Sequence, residues 1–441
     1  MSGNGKRISR RRFLGTAAAA TAGAAGLWRG FILAEGAKGA SEKLTVGVIG
    51  VAGQGEYDWT NIAGAGAEIV ALCDVDERRT GTIRERYPDA KFYPDFRQLL
   101  DQKGIDAVQV STPDHTHAVA TLMALRSGRH VYCEKPLTHT VQEARLVAET
   151  AAKEKRVTQM GTQIHAGSNY RRVVELIQGG AIGKVQEVHV MCGKNWGGGE
   201  RPQATVPVPE GLHYDLWIGP APMRPYHPVY LPENWRRWWD FGGGTLADMA
   251  CHHMDLPFWA LKLRHPTKIS AEGPPVHAET AAIWLIVNYE FPAREDLPPV
   301  RFTWYDGGKR PEIFAKEKLP HWGDGSLFVG EKGMLLADYD NWKLLPEEKF
   351  KDFKAPAPSI PDSIGHHKEW VEACKNSDGV KTDATTCHFG YSGALTEVVL
   401  LGNAAYRLGK PIEWDAAELK AKGEPGADRF IRKEYRSPWT I

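Results

Sequence analysis

The sequence has no CxxC pair and almost no net charge, and each of these two absences argues against a class of protein. It also has no internal repeat. Six cysteines are scattered over 441 residues, so buried apolar positions are expected for them rather than a disulfide framework or a zinc site. A formal net charge of +1 gives no electrostatic reason to expect a nucleic acid or an anionic membrane as partner. With 42% hydrophobic residues, the composition is that of a globular protein long enough for two domains.

The N-terminal residues 1–40 are not expected to belong to the fold. Residues 9–14 (SRRRFL) resemble a twin-arginine export motif, and an Ala- and Gly-rich stretch follows from Phe13 to Trp28. This stretch is too short and too weakly apolar to favour a spanning helix, and small residues at 34–40 offer a cleavage site. We therefore expect a signal and linker, recognition by the twin-arginine export machinery, and a periplasmic or exported mature form without an integral span. A disordered basic tail with an Ala-rich helix is the alternative.

Strands and helices alternate between residues 43 and 165. Short β-branched runs such as 44–50, 68–74, 107–111 and 130–134 are each followed by a stretch with helical periodicity. Alternation with short connections predicts a parallel, doubly wound sheet, that is, a Rossmann domain.

Beyond residue 165 the pattern changes. Strand-like runs at 282–291 and 300–305 have no helix between them, which predicts that residues 166–441 form an α+β domain with a large, mostly antiparallel sheet. Residues 195–240 form a long segment with eight prolines between 202 and 232, and such loops are often lids or binding surfaces.

A glycine-rich turn between the first strand and the first helix predicts a dinucleotide site. It reads Gly50-Val-Ala52-Gly53-Gln54-Gly55, with glycine at the first and third fingerprint positions and alanine at the middle one. Asp74 ends the second strand, where a carboxylate binds the adenosine ribose and repels a 2′-phosphate. This favours NAD over NADP, although Arg78 and Arg79 keep NADP open.

Two further motifs resemble the Gfo/Idh/MocA oxidoreductase family. The runs are Ser111-Thr-Pro-Asp-His-Thr-His117 and Cys133-Glu-Lys-Pro-Leu137, with further matches at 161–163, 183–185 and 242–255. The resemblance implies a Rossmann domain followed by an α/β domain with an open sheet, which carries the substrate site and forms homo-oligomers. It also implies hydride chemistry with a bound nicotinamide cofactor and a sugar or cyclitol as substrate. An exported protein has no free nicotinamide pool, so we expect the NAD to be tightly bound.

The resemblance implies that Lys135 is the general base that accepts the hydroxyl proton. Partial desolvation near a positive nicotinamide is expected to lower the pKa of Lys135 towards neutrality. Asp248 and His252, four residues apart on one helix face, are implied to bind the substrate and assist proton transfer. Two alternatives are open: a capping box from Thr245 to Asp248, and a metal site that includes His253. We expect no metal.

The other expected contacts fall into two sets. Besides the glycine-rich turn and Asp74, the expected cofactor contacts are Thr112, Pro113, His117 and Glu134, with His115 as the alternative to His117. The expected substrate contacts are Gln163, His165 and Trp196, where His165 and the tryptophan also fit structural roles. Trp217, Trp235, Trp238 and Trp239 could likewise stack on a sugar or simply pack.

Three functions are consistent with these residues. The leading hypothesis is an NAD-dependent oxidoreductase acting on a secondary alcohol of a sugar, cyclitol or glycoside. The second is a redox-neutral glycosidase or lyase, which oxidises C3 transiently, eliminates the aglycone and returns the same hydride. The third, a non-catalytic dinucleotide or sugar sensor, is disfavoured because Lys135, Asp248 and His252 are all present.

Overall fold

A computed structural model describes residues 43–377 and 381–441 of the chain. The predicted export signal of residues 1–40 lies outside these ranges. The strands are β1 (Thr45–Ile49), β2 (Glu68–Cys73), β3 (Lys91–Tyr93), β4 (Ala107–Val110), β5 (His130–Cys133), β6 (Thr158–Met160), β7 (Val185–Met191), β8 (Lys268–Glu272), β9 (Ile286–Phe291), β10 (Val300–Tyr305), β11 (Gly325–Gly330), β12 (Gly333–Ala337), β13 (Trp342–Leu345), β14 (Ile412–Asp415) and β15 (Lys420–Ala421).

The α-helices are α1 (Gln54–Gly64), α2 (Gly81–Arg86), α3 (Phe96–Asp101), α4 (Asp114–Arg126), α5 (Val141–Lys153), α6 (Ser168–Gln178), α7 (Tyr214–Ile218), α8 (Gly244–His253), α9 (Asp255–Ala260), α10 (Ile313–Lys316), α11 (His366–Lys375), α12 (Phe389–Leu408) and α13 (Asp428–Ile431). Short 3₁₀ helices cover Glu77–Arg79, Gln163–Ala166, Asn234–Arg237, Glu347–Phe350 and Pro425–Ala427. Among the described residues, no helix combines the length and the apolar character needed to cross a bilayer.

The first sheet has six parallel strands in the order β3-β2-β1-β4-β5-β6. This order confirms the predicted doubly wound Rossmann sheet, and it places the loops after β1 and β4 side by side at a topological switch point. Val46, Val48 and Ile49 of β1 are fully buried, as expected for a strand covered on both faces. The sequence pattern does not predict β3 and α3, which are only three and six residues long.

The second sheet has nine strands in the order β13-β12-β11-β7-β10-β9-β8-β14-β15. All its neighbours are antiparallel except β7 and β10, which confirms the predicted mostly antiparallel sheet. The helix α12 packs against α8 and β8 and also against α5 of the Rossmann domain. It therefore ties the two sheets together.

The C-terminal part of the chain returns to the Rossmann domain. Trp370, Val371 and Cys374 of α11 belong to the same hydrophobic cluster as Val46 and Trp59. The predicted second domain, residues 166–441, therefore contributes a helix to the face of the first. All six cysteines are buried and unpaired, as the sequence predicts.

The proline-rich segment 195–240 builds a small aromatic cluster of its own. The cluster contains α7 and side chains such as Tyr214, Trp217, Tyr230 and Trp235, and it closes against Phe241. Because these rings pack on one another, they hold the segment in a defined position. It lies where the dinucleotide site was predicted, as the cavity described next shows.

Candidate active site

The glycine-rich turn after β1 requires glycine at two positions. Gly50 has a φ of 85°, and a Cβ there would lie 2.4 Å from the carbonyl oxygen of Ser111. At Gly55 a Cβ would lie 2.1 Å from the carbonyl oxygen of Gly50. Both contacts are too close for any side chain, so the glycines let β1, α1 and the loop after β4 approach one another.

The N-terminus of α1 opens into a cavity of about 370 Å³. The helix begins at Gln54 without a side-chain cap, and Ala52, Gly53 and Gln54 all line the cavity. Uncapped backbone N–H groups at a helix N-terminus bind phosphate. The alanine at the middle fingerprint position is only partly buried, so the departure from glycine leaves this geometry intact.

Asp74 lies at the end of β2 on the wall of the same cavity. Its two carboxylate oxygens accept hydrogen bonds from the backbone of Val51 (3.0 Å) and Asp76 (2.9 Å). Burial raises the pKa of Asp74, although these two bonds act against the shift. Arg79 also lines the cavity, whereas Arg78 forms a two-point ion pair with Asp76 and does not.

Thr112 and Pro113 line the cavity as predicted, but His117 does not. His117 is buried, and its ring nitrogens lie 2.7 Å from the carbonyl oxygens of Pro136 and Thr112. His115 is also buried, with Nε2 2.9 Å from the carbonyl oxygen of Trp217. The structure thus gives both histidines a bracing role instead of the predicted cofactor contact, because each ring is used by backbone carbonyls.

A second cavity of about 610 Å³ adjoins the first. Gln54, Lys135, Glu233 and Arg236 line both. We call the two together the central cleft. The second cavity is further lined by Gln163, Trp196, Asp248, Met249 and His252. Lys135 therefore lies at the junction between the dinucleotide cavity and a second compartment.

Lys135, Asp248 and Arg236 form one charged cluster. The ammonium of Lys135 donates to Asp248 Oδ1 at 2.7 Å and to the carbonyl oxygen of Asp248 at 3.1 Å. Arg236 Nε donates to the same Oδ1 at 2.8 Å. No hydrogen bond from a described side chain reaches Asp248 Oδ2, so this oxygen is free for a hydroxyl group in the cleft.

The charges in this cluster set its protonation. Burial acts to lower the pKa of Lys135, but the carboxylates of Asp248 and Glu134 outweigh it and the pKa is raised. Burial acts to raise the pKa of Asp248, yet the charges of Lys135 and Arg236 bring it well below its usual range. The direction for Lys135 is opposite to the lowering expected from sequence, because the ammonium is paired with a buried carboxylate.

His252 lies one helical turn after Asp248 and faces the cleft. Burial and the charge of Lys135 hold the pKa of His252 well below its usual value, so the ring is neutral. Neither ring nitrogen is hydrogen-bonded to another residue among those described. A neutral imidazole with free nitrogens can donate to or accept from a substrate hydroxyl.

The structure contradicts the capping-box alternative for Asp248. The helix α8 begins at Gly244 without a side-chain cap, and Thr245 Oγ1 instead accepts from the backbone N–H of Trp196 at 2.7 Å. Two cations hold the carboxylate of Asp248 and would compete with a metal ion there. His253 lies on another face, with Nε2 3.2 Å from the hydroxyl of Tyr339.

Glu134 is buried beside the cleft and belongs to a second carboxyl cluster. Gln163 Nε2 donates to Glu134 Oε1 at 2.8 Å, and Gln54 Nε2 lies 3.3 Å from the same oxygen and 3.2 Å from Asp58 Oδ1. Burial raises the pKa of Asp58 to about 7 and, together with the charge of Asp58, that of Glu134 to about 8. At Gly161 a Cβ would lie 2.1 Å from Glu134 Oε1, which explains the glycine there.

Two of the three predicted substrate contacts lie in the cleft. Gln163 and Trp196 line it, whereas His165 does not. His165 is buried, with Nδ1 2.9 Å from both carboxylate oxygens of Asp255, and its ring stacks on Trp259 at 4.2 Å. The structure thus gives His165 a structural position, because a buried carboxylate and an aromatic face take up the ring.

The remaining tryptophans divide between the cleft and the core. Trp217 and Trp235 line the dinucleotide cavity rather than the second compartment, while Trp238 is buried. The sequence reading missed Arg236 and Asp58. Arg236 could have been suspected from the charged pair among the tryptophans of residues 235–239, but Asp58 sits in α1 with no motif around it.

These features define a class: a Rossmann protein with a dinucleotide cavity that opens into the compartment of a second, α/β domain. Two models of one oxidoreductase family match the chain. The model of the NAD-binding Rossmann fold matches residues 44–162, and that of the C-terminal α/β domain matches residues 167–295. Together they cover more than half of the sequence, and the chain belongs to the Gfo/Idh/MocA oxidoreductase family.

Curated relatives agree with this membership over part of their length. Inositol 2-dehydrogenase of Rubrobacter xylanophilus is 34% identical over 149 residues, which are 33% of this chain and 43% of that protein. The 1,5-anhydro-D-fructose reductase of Ensifer adhaerens is 26% identical over 226 residues, 48% of this chain and 57% of that protein. The matched parts thus span less than two thirds of either relative.

Solved structures share the fold. The WlbA dehydrogenase of Bordetella pertussis, in complex with NADH and UDP-GlcNAcA, superposes with a TM-score of 0.58 at 18% identity, covering 85% of this chain and 99% of that one. The aldose-aldose oxidoreductase of Caulobacter crescentus gives a TM-score of 0.55 at 16% identity, covering 85% and 100%. At these identities the likeness establishes the fold.

Proposed function

We propose that the protein is an NAD-dependent oxidoreductase acting on a secondary alcohol of a sugar, cyclitol or glycoside. The observation that carries the proposal is the position of Lys135, at the junction of the dinucleotide cavity and the second compartment, 2.7 Å from Asp248 and in the same cavity as His252. The dinucleotide, when bound, supplies the hydride acceptor. The cavity fits this group through the uncapped start of α1 and the two obligatory glycines.

The side chains of the cleft have different roles in the oxidation of the alcohol. Lys135 accepts the hydroxyl proton at Nζ once it has lost its own, and Asp248 Oδ1 holds the amine in place. The free Oδ2 of Asp248 and the neutral ring of His252 orient hydroxyl groups of the substrate. Arg236 keeps Asp248 ionised, since its guanidinium shares the carboxylate oxygen with Lys135.

The substrate class rests on the chemistry of the second compartment. Its lining is rich in hydrogen-bonding groups, with Gln163, Lys194 and Asn234 among them, and Trp196 offers a partly exposed aromatic face. Polar groups beside an aromatic face suit a polyhydroxylated ring. The names of the relatives, inositol 2-dehydrogenase and anhydrofructose reductase, support the same class.

NAD is the preferred dinucleotide in this proposal, because the Asp74 carboxylate lines the cavity at the end of β2. A second wall supports tight retention of the dinucleotide in this proposal: Trp217, Leu231 and Trp235 of the segment 195–240 also line the dinucleotide cavity. A dinucleotide held between two domains suits the export that the N-terminal motif predicts. Export, homo-oligomer formation and the absence of a metal stay predictions.

The segment 195–240, which lines the dinucleotide cavity, also favours a second candidate function, a redox-neutral glycosidase or lyase. There C3 of a glycoside is oxidised, the acidified C2 proton goes to a base, and the aglycone leaves. In the glycosidase, water then adds, and the hydride returns to C3. No reduced dinucleotide accumulates in such a cycle, so it needs a cofactor that stays bound.

One assay separates the two candidates. Purified protein is incubated with myo-inositol, free sugars and aryl glycosides, while aglycone release and the absorbance of reduced nicotinamide are followed together. The proposed oxidoreductase gives reduced nicotinamide with added NAD and no aglycone. Aglycone release without net reduction selects the redox-neutral reaction. Silence with the whole panel, from protein shown to contain dinucleotide, contradicts both.

A further inference from the structure

A third cavity, away from the central cleft, has the features of a binding site. It has a volume of about 700 Å³ and lies between the start of α5, the end of α12, α13 and residues 239–243. We call it the rear cavity. The residues that line it include Trp239, Asn403, Arg407, Arg429 and Phe430. It shares no lining residue with the central cleft.

Arg407 is the main cation of the rear cavity. Its guanidinium carbon lies 4.7 Å from the ring centroid of Trp239 and 4.6 Å from that of Phe430. The ring of Trp239 is itself fixed, since Nε1 donates to the carbonyl oxygen of His277 at 3.1 Å. Among the described residues, none forms an ion pair or a hydrogen bond with Arg407, so its N–H groups are free for a ligand.

The other charges around the cavity leave it with a positive excess. Asp240 pairs with Arg224, Asp428 with Arg432, and Lys433 with Glu143. Within the described lining, Arg407 and Arg429 remain without a carboxylate partner, against the exposed Glu434 alone. Burial lowers the pKa of Arg407 to about 10, while the nearby charge of Asp240 acts against this shift, so Arg407 stays charged at neutral pH. The cavity therefore favours an anion.

Asn403 adds an acceptor that points to a specific kind of anion. It is 6% exposed, and its Nδ2 donates to the carbonyl oxygen of Gly243 at 2.8 Å. Its Oδ1 is buried and has no hydrogen-bond partner among the described residues. Such an acceptor requires a donor. Asn403 and Arg407 are four residues apart on α12 and so share one face.

We propose that the rear cavity binds a small hydroxycarboxylate, such as a sugar acid. The carboxylate pairs with the planar fork of Arg407, which suits two parallel hydrogen bonds. A hydroxyl group of the same molecule donates to Asn403 Oδ1, and the rings of Trp239 and Phe430 flank the site. This site is independent of the proposed function, because none of its residues belongs to the central cleft.

Calorimetric titration with D-gluconate tests the proposal. D-glucitol, which lacks the carboxylate, and acetate, which lacks the hydroxyl groups, are titrated in parallel, as is inorganic phosphate. We expect saturable binding of gluconate, and affinities lower by about tenfold or more for the other three. Absence of gluconate binding, or phosphate binding of equal strength, overturns the assignment.

Variants locate the bound molecule. Arg407→Gln and Asn403→Leu should each weaken gluconate binding by about tenfold or more, whereas the exposed Arg301→Gln should not change it. Arg407→Lys keeps the charge but loses the fork, and it should be intermediate; it serves if Arg407→Gln does not fold. Binding that survives both changes at Arg407, or that is lost in the cleft variant His252→Ala, contradicts the proposal.

Discussion

Buried carboxyl groups lie on both sides of Lys135, and the two sides differ in charge. On the cofactor side, Glu134 and Asp58 are linked through Gln54, and burial raises their pKa values to about 8 and about 7. On the substrate side, Asp248 is as deeply buried, yet its pKa is held well below the usual range. The difference comes from cations: two bond Asp248 directly. The partners of Asp58 are neutral, among them Gln54, Ser111 and the ring of His367, whose pKa burial lowers to about 4.

One fold thus places acids of two kinds around a single lysine. Ionised Asp248 can hold and release the ammonium of Lys135, whereas burial favours the protonated forms of Glu134 and Asp58. Without the charges of Lys135 and Arg236, burial would raise the pKa of Asp248 as well. The predictions below test whether the two sides of Lys135 differ in this way, in order of decreasing expected effect.

Removal of the amine between the two sides should have the largest effect. We expect Lys135→Met to lower turnover by about 10²- to 10⁴-fold, because the hydroxyl proton then has no positioned acceptor. The dinucleotide content of the purified protein should stay unchanged. Steady-state kinetics and dinucleotide content are compared with the exposed control Lys91→Met. Full activity in Lys135→Met would refute the role of the lysine.

On the cofactor side, substitution of Asp74 tests the preference for NAD over NADP. We expect Asp74→Asn to lower the preference for NAD over NADP by about tenfold to hundredfold, because a charged hydrogen-bond acceptor for the ribose is lost. Dinucleotide affinities are measured by fluorescence titration of protein freed of its cofactor. Arg79→Gln should act in the opposite direction, while Arg78→Gln, whose guanidinium is paired with Asp76, should do little. An unchanged preference in Asp74→Asn contradicts the assignment.

The substrate side can be tested through pH. Since Asp248 contributes to the raised pKa of Lys135, the loss of its charge in Asp248→Asn should move the apparent pKa of the rising limb of kcat/KM to lower pH by about one unit or more. Glu134, Arg236 and Asp114 also face this lysine and remain in place. Asp352→Asn, an exposed change, is the control. A limb that stays or moves to higher pH would speak against the pairing.

The smallest effect concerns stability, and it has opposite signs on the two sides. The pKa of Glu134 is raised from 4.5 to about 8, so the folded form holds more protons and its stability falls as pH rises through this window. Asp248, with a lowered pKa, contributes stability that is lost as pH falls below its usual value of 3.8. Urea unfolding across pH should therefore show a flatter fall between about pH 4.5 and 8 in Glu134→Gln and a flatter loss below about pH 3.8 in Asp248→Asn.

The exposed Glu149→Gln is the control for this stability series. Equal slopes for Glu134→Gln and Asp248→Asn at every pH would remove the distinction between the two sides.

The parts of the site that follow a local rule could be predicted from sequence. The glycines at 50 and 55 and the acid at 74 are set by strand, turn and helix in direct succession, and their places in the structure agree with that rule. Lys135 was found through its motif.

The rest depends on contacts that no local pattern encodes. Arg236 reaches Asp248 because an aromatic cluster folds residues 195–240 over the cleft, and that packing leaves no periodicity in the sequence. His117 and His165 carry the right chemistry, but buried backbone and carboxylate partners take up their rings. The helix α11 returns to the Rossmann face across more than two hundred residues of intervening chain.

Transfer of deuterium tests the central claim most directly. The alcohol that gives the strongest response in the substrate panel is prepared with deuterium on the reacting carbon and mixed with the protein for a single turnover. The reaction is stopped with base, and the mass of the released dinucleotide is measured. Reduced dinucleotide that carries one deuterium is the result we expect, and Lys135→Met should yield almost none. Product formation with no deuterium in the dinucleotide would contradict hydride transfer in this cleft.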